Sequence, residues 1–261
     1  MNIKTSFMSL TIAVFAVGLL SGCKEENKQS AIPAQQTQQT SSNTSDNNDN
    51  WIWPGEPEGE LNVVDDVLVN NYMVVYDGSG SMGDADSSCG VTNSKHSEGV
   101  SALNAFANAV PATANLGLYV FDSKGISLRV PLSSNNRAEF TDAVKSVSVG
   151  GGTPLRSAVY DGYKELTKQG QSQFGYGRYI LVIVTDGAAS SGQDPTKVVN
   201  EIVNYTPVEV HTVGFCLSEN HSLNQPGRTF YSPANSPKEL IDGLQAVLAE
   251  SNENDVTEWS D

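Results

Sequence analysis

Basic side chains are scarce in this chain: 15 Lys and Arg stand against 30 Asp and Glu, a formal net charge of −15. A field of that sign repels phosphate backbones and anionic lipid surfaces, which excludes nucleic acid as a partner. The sequence has no G-x-x-x-x-G-K-[ST], so the P-loop phosphate cradle is missing. It also lacks the G-x-S-x-G elbow of many serine hydrolases. Beyond residue 20 no apolar run approaches the ~20 residues that cross a bilayer as a helix. Histidine is rare, with only His96, His211 and His221, and His211 falls inside a strand-like run that suits a structural role. Cysteine is equally rare: Cys23, Cys89 and Cys216.

What is present divides the chain into four parts. Residues 1–22 carry Lys4 in a short polar start and then an apolar stretch over 7–20, the pattern of an export signal. The stretch ends in Leu20-Ser21-Gly22-Cys23, which resembles the bacterial lipobox, whose Cys becomes the acylated N-terminus after cleavage. That resemblance implies lipidation of Cys23, and several acyl chains on one residue hold a protein stably on a membrane. Lys24 follows, and by similarity to enterobacterial sorting a residue other than Asp there directs the protein to the outer membrane of the cell envelope. Residues 23–60 read as anchor and disordered tether, because the Gln, Thr, Ser, Asn and Asp that dominate the segment cannot bury enough apolar surface to fold. Trp51-Ile52-Trp53-Pro54 breaks that polarity, either as an arm packed on the domain or as a peptide for a partner. Residues 61–250 form one domain, and residues 251–261 an acidic tail.

Within the domain, strand-like runs at 67–76, 116–121, 126–130, 178–185, 208–215 and 228–231 alternate with helical patterns at 98–110, 136–147, 154–167, 195–205 and 236–249. Pro154 and Pro195 mark helix first turns, and Ser236 followed by Glu239 marks a capped start. The second and third strands are separated by four residues, too few for a crossover, so they make an antiparallel hairpin at one edge. The expected architecture is α/β: a doubly wound, mostly parallel six-stranded sheet with one antiparallel edge strand and helices on both faces.

The chemistry gathers at strand ends. Asp77-Gly78-Ser79-Gly80-Ser81 follows the apolar run Tyr72-Met73-Val74-Val75-Tyr76 and offers one carboxylate and two hydroxyls at alternate positions of a glycine-rich turn. Gly150-Gly151-Gly152-Thr153-Pro154 presents another hydroxyl, and Leu181-Val182-Ile183-Val184-Thr185-Asp186 ends a buried strand in a carboxylate. An all-oxygen set with two carboxylates suits a hard cation such as Mg²⁺. In an open α/β sheet, ligands bind beyond the carboxyl ends of strands, where the winding reverses.

These three segments together resemble the metal-ion-dependent adhesion site of von Willebrand factor type A domains, over residues 68–250. The resemblance implies a metal site made of Asp77, Ser79, Ser81, Thr153 and Asp186, holding Mg²⁺ (or Mn²⁺ or Ca²⁺). It also implies that the Asp77 and Asp186 strands are neighbours at the switch point, and that the metal takes an Asp or Glu from a protein partner. On that reading the chain is a binding module in adhesion or envelope assembly, not an enzyme. Two alternatives stay open: a scaffold subunit whose metal only stabilises the loops, and a hydrolase built on Ser81, His221 and Asp186. Asp84 and Asp86 follow the turn, one residue out of step with a neighbouring Ca²⁺ site, and read as a solvated loop or a second metal position.

With Cys23 assigned to lipid, Cys89 and Cys216 remain in an oxidising compartment, where pairing is the usual fate. Both fall on the carboxyl-end face, so a disulfide is expected; two free, buried thiols are the alternative.

Overall fold

A computed structural model describes residues 53–57 and 59–252. The signal segment 1–22, Cys23, the tether up to residue 52 and the tail from 253 lie outside the described residues. Among the described residues no helix is long and apolar enough to cross a membrane.

The elements run β1 (Asn71–Asp77), α1 (Lys95–Ala109), β2 (Asn115–Asp122), β3 (Gly125–Ser133), α2 (Arg137–Lys145), α3 (Leu155–Ser172), β4 (Tyr179–Thr185), α4 (Thr196–Tyr205), β5 (Glu209–Phe215), β6 (Phe230–Ala234) and α5 (Pro237–Asn252). They build one six-stranded sheet in the order β3-β2-β1-β4-β5-β6. All pairings are parallel except β2 with β3, so the expected edge hairpin is there.

The two central strands are apolar at nearly every position because both of their faces are covered. On one face Tyr72, Val74, Tyr76, Ile180, Val182 and Val184 pack under α1, α2 and α5. On the other, Met73, Val75, Leu181 and Ile183 pack under α3 and α4. The alternation follows from the strand period of two.

Several boundaries differ from expectation. β1 starts at Asn71 and not at 67, because its partners β2 and β4 begin opposite Asn71, at Asn115 and Tyr179. The carbonyls of Val67 and Val69 instead accept from the side-chain amide of Gln173. Pro154 and Pro195 sit just before their helices, and only Pro237 is a first helical residue. Ser236 Oγ does accept from Glu239 N at 3.2 Å, but the Glu239 carboxylate reaches back to Asn235 N, one residue earlier than a capping box needs.

Trp53 belongs to the folded unit. Its ring meets that of Tyr179 edge-on at 4.7 Å, and a Cβ on Gly170 of α3 would lie 2.6 Å from Trp53 Cζ2. Tyr179 opens β4 and Asp186 follows its last residue, so the chain enters the domain at the end of the sheet away from the Asp77 and Asp186 loops.

Candidate metal centre

Parallel pairing sets the ends of β1 and β4 side by side, and with them Asp77 and Asp186. Asp77 turns back on its own loop: its Oδ1 accepts from Ser79 N at 2.8 Å, and its Oδ2 from Thr185 Oγ1 at 2.6 Å. Gly78 has to be glycine, because a Cβ there would lie 2.6 Å from Val147 Cγ1 and 2.9 Å from the Phe121 carbonyl. The loop is stitched to the second segment by Gly80 N to Gly151 O at 3.1 Å and Gly150 N to Gly78 O at 2.8 Å. Gly151, at φ 83, occupies the left-handed region that glycine tolerates.

The third segment closes the set. Ser81 Oγ donates to Asp186 Oδ1 at 2.8 Å and lies 3.1 Å from Ser79 Oγ. Thr153 N donates to Ser190 Oγ at 2.8 Å, and Ser190 N returns a bond to Thr153 O at 2.9 Å. Gly187 lies between these groups: a Cβ there would be 3.8 Å from both Ser81 Oγ and Thr153 Oγ1. All five expected residues therefore meet at one place, and all but Ser81 are buried.

Burial pushes the Asp77 carboxyl up to about 6, and the negative charge of Asp186 acts in the same direction. The hydrogen bonds from Ser79 and Thr185 oppose the shift without cancelling it. Two buried carboxylates side by side therefore call for a cation. The donors fit a hard dication, with two carboxylates, three hydroxyls and no sulfur or imidazole among them.

The structure adds one member that the sequence reading missed. Lys95, at the start of α1, donates to Asp186 Oδ2 at 2.8 Å and reaches to 3.5 Å from the Ser81 carbonyl. Thr185 and Ser190 were missed as well; both orient site residues through their hydroxyls.

Other residues singled out in the sequence fall elsewhere. Asp86 spends its carboxylate on Ser88, accepting from N at 3.1 Å and from Oγ at 2.6 Å, while Asp84 is exposed and its backbone carbonyl takes Lys95 N at 3.0 Å. Among the described residues no three His, Cys, Asp or Glu gather as a metal cluster. His221 reaches the site's rim, but Nδ1 accepts from Leu223 N at 3.2 Å, which leaves Nε2 to donate to Gly187 O at 3.1 Å. Both ring nitrogens are thus engaged with backbone, and Ser81 Oγ faces Asp186. His211 is buried and stacked on Phe230 at 4.3 Å, far along β5 from the site.

Cys89 and Cys216 are joined as a disulfide, with Cα atoms 5.7 Å apart. The bond ties the loop after β1 to the end of β5, next to the site. Two grooves lie beside the site: one of about 270 Å³ lined by Phe121, Ile126, Gly152 and Pro154, and one of about 340 Å³ lined by Ala188 and His221. Ser190 lines both.

Residues 72–188 match the family model of the von Willebrand factor type A domain, a span that contains all five expected ligands. No curated protein matches the sequence. Among solved structures, the conserved hypothetical protein BatB from Bacteroides thetaiotaomicron superposes with a TM-score of 0.56 at 13% identity, over 71% of this chain and 100% of that one. Manganese-loaded TRAP protein from Plasmodium vivax gives 0.52 at 20% identity, over 70% and 74%. The pilus adhesin SpaC from Lactobacillus rhamnosus GG gives 0.53 at 16% identity, over 74% and 31%. At these identities the likeness is one of fold: the described residues have the architecture of a von Willebrand factor type A domain.

Proposed function

We propose that this chain is a lipid-anchored envelope protein whose domain binds a protein partner through a divalent metal held by Asp77, Ser79, Ser81, Thr153 and Asp186. One observation carries the reading: three separate segments, two linked by backbone bonds between glycines and the third by the Ser81–Asp186 and Thr153–Ser190 bonds, bring an all-oxygen set to the carboxyl end of the sheet. When bound, Mg²⁺, or Mn²⁺ or Ca²⁺ in its place, supplies a positive centre able to accept an outside carboxylate.

The chain's own residues do the rest. Thr185 and Ser79 N fix the Asp77 carboxylate, and Ser190 holds the loop that carries Thr153. The two grooves that share Ser190 offer room for residues flanking a partner's Asp or Glu. An overall charge of −15 opposes long-range attraction of an acidic partner, so the partner's carboxylate is expected among basic neighbours. The site lies at the end of the sheet opposite Trp53.

Pull-down from envelope extract tests the function. Retention of a partner in Mg²⁺ and its release by chelator are expected; retention that ignores chelator favours the scaffold reading. Replacement of Cys23 by Ser is expected to remove the acylated N-terminus, as read by mass spectrometry, and an unmodified terminus at another residue in the unmutated protein would contradict the anchor.

A further inference from the structure

Lys95 occupies a position that local preference opposes. It is the first residue of α1, at the positive end of the helix dipole, where a cation is disfavoured, and it is only 9% exposed, although burying an ammonium is costly. The backbone around it is firmly set: Ser94 Oγ caps Ser97 N at 3.1 Å, and Lys95 N donates to Asp84 O at 3.0 Å. From that start the side chain reaches Asp186 Oδ2 at 2.8 Å, the oxygen that Ser81 does not take. The Asp186 side chain is fully buried, so the pair is shielded from solvent.

We propose that Lys95 is a resident counter-charge that competes with the metal for Asp186. The inference rests on the metal reading above and concerns how tightly that site is held. Asp77 and Asp186 alone offer a dication two negative charges; with the Lys95 ammonium in place the net charge is one. Lys95 thus keeps the empty site intact by compensating Asp186 and weakens metal binding by occupying it. Occupancy then follows the surrounding concentration of the metal, so the site is reversible and not permanently filled.

The test is calorimetric titration of Mn²⁺ into the purified full chain, wild type and Lys95→Met, after removal of metal by chelator. Lys95→Met keeps the length and apolar stem and removes the charge. Its Mn²⁺ affinity is expected to rise about tenfold or more. Its metal-free form is expected to melt below wild type, with Mn²⁺ restoring the difference, and Lys95→Arg is expected to keep the weak affinity of wild type. Circular dichroism checks the fold, and Lys95→Gln, which retains a donor toward Asp186, carries the test if Lys95→Met does not fold. Equal or weaker affinity in the folded variant, with wild type still binding, overturns the competition and leaves the metal reading standing. Absence of binding in both proteins overturns the metal reading and this inference with it.

Discussion

The hydroxyl of Thr185, the last residue of β4, donates to Oδ2 of Asp77, the last residue of β1, at 2.6 Å. The bond crosses between the two central strands at the point where the winding of the sheet reverses. It fixes the rotamer of a carboxylate that is completely buried and stands beside a second one, Asp186. Asp77 is therefore positioned for a ligand at a cost to the empty fold.

That cost gives the first prediction. The folded value of Asp77, about 6, exceeds its ordinary 3.8, so its contribution to stability is present below the lower value and lost as pH rises through the higher one. Asp77→Asn keeps the shape and can satisfy both Ser79 N and Thr185 Oγ1. It is expected to stabilise the metal-free protein at neutral pH by on the order of 1 kcal/mol, a rise in Tm of about 2–4 °C. Thermal melts in chelator check this; a clear fall in Tm would show that Asp77 holds the fold together by other means.

The second prediction concerns the bond between Cys89 and Cys216, which closes a separation of 127 residues. Its loss is expected to cost about 2–4 kcal/mol of stability. Because the bond holds the loop that leads from Ser81 to Lys95, reduction is also expected to weaken metal binding. Thiol counting on the unfolded, unreduced chain checks the bond itself: a free thiol from each of the two residues would refute it.

His96 supplies the third. Burial holds its imidazole below the ordinary 6.5, and the phenol of Tyr76, kept protonated chiefly by its own burial, donates to Nδ1 across 2.9 Å. A depressed value means that the folded state binds fewer protons. The stability contributed by His96 is then complete above 6.5 and lost as pH falls through its folded value. His96→Gln still accepts from Tyr76 but does not titrate. The gap in Tm between the two proteins is expected to change in favour of the variant between pH 7 and pH 5, and a constant gap would contradict the assignment.

Much of this architecture is legible in the sequence. Strands apolar on both faces and a linker too short for a crossover identified the sheet and the edge hairpin, while the resemblance of three oxygen-bearing segments to a known metal site implied that Asp77, Ser79, Ser81, Thr153 and Asp186 meet. Residues 67–69 read as strand because Val67, Leu68 and Val69 are apolar, yet no neighbouring strand extends opposite them. The third helix runs past Gly170, a residue that looks like a stop, because the missing side chain makes room for Trp53. Lys95 was illegible for a related reason. Local rules start the helix at the Ala-rich pattern and disfavour a cation in its first turn, so the signal was the violation itself, and its cause lies 91 residues away at Asp186. Thr185 read as one more β-branched strand residue, and its hydroxyl acquires a role only once β4 lies beside β1.

The central claim is that these oxygens hold a divalent metal. Calorimetric titration of Mn²⁺ into the purified full chain tests it most directly, with Asp77→Asn as the paired variant. Saturable binding at one site per chain is predicted for wild type, with loss of that binding in a variant that remains folded. No binding by wild type, or equal affinity in the two proteins, would contradict the account.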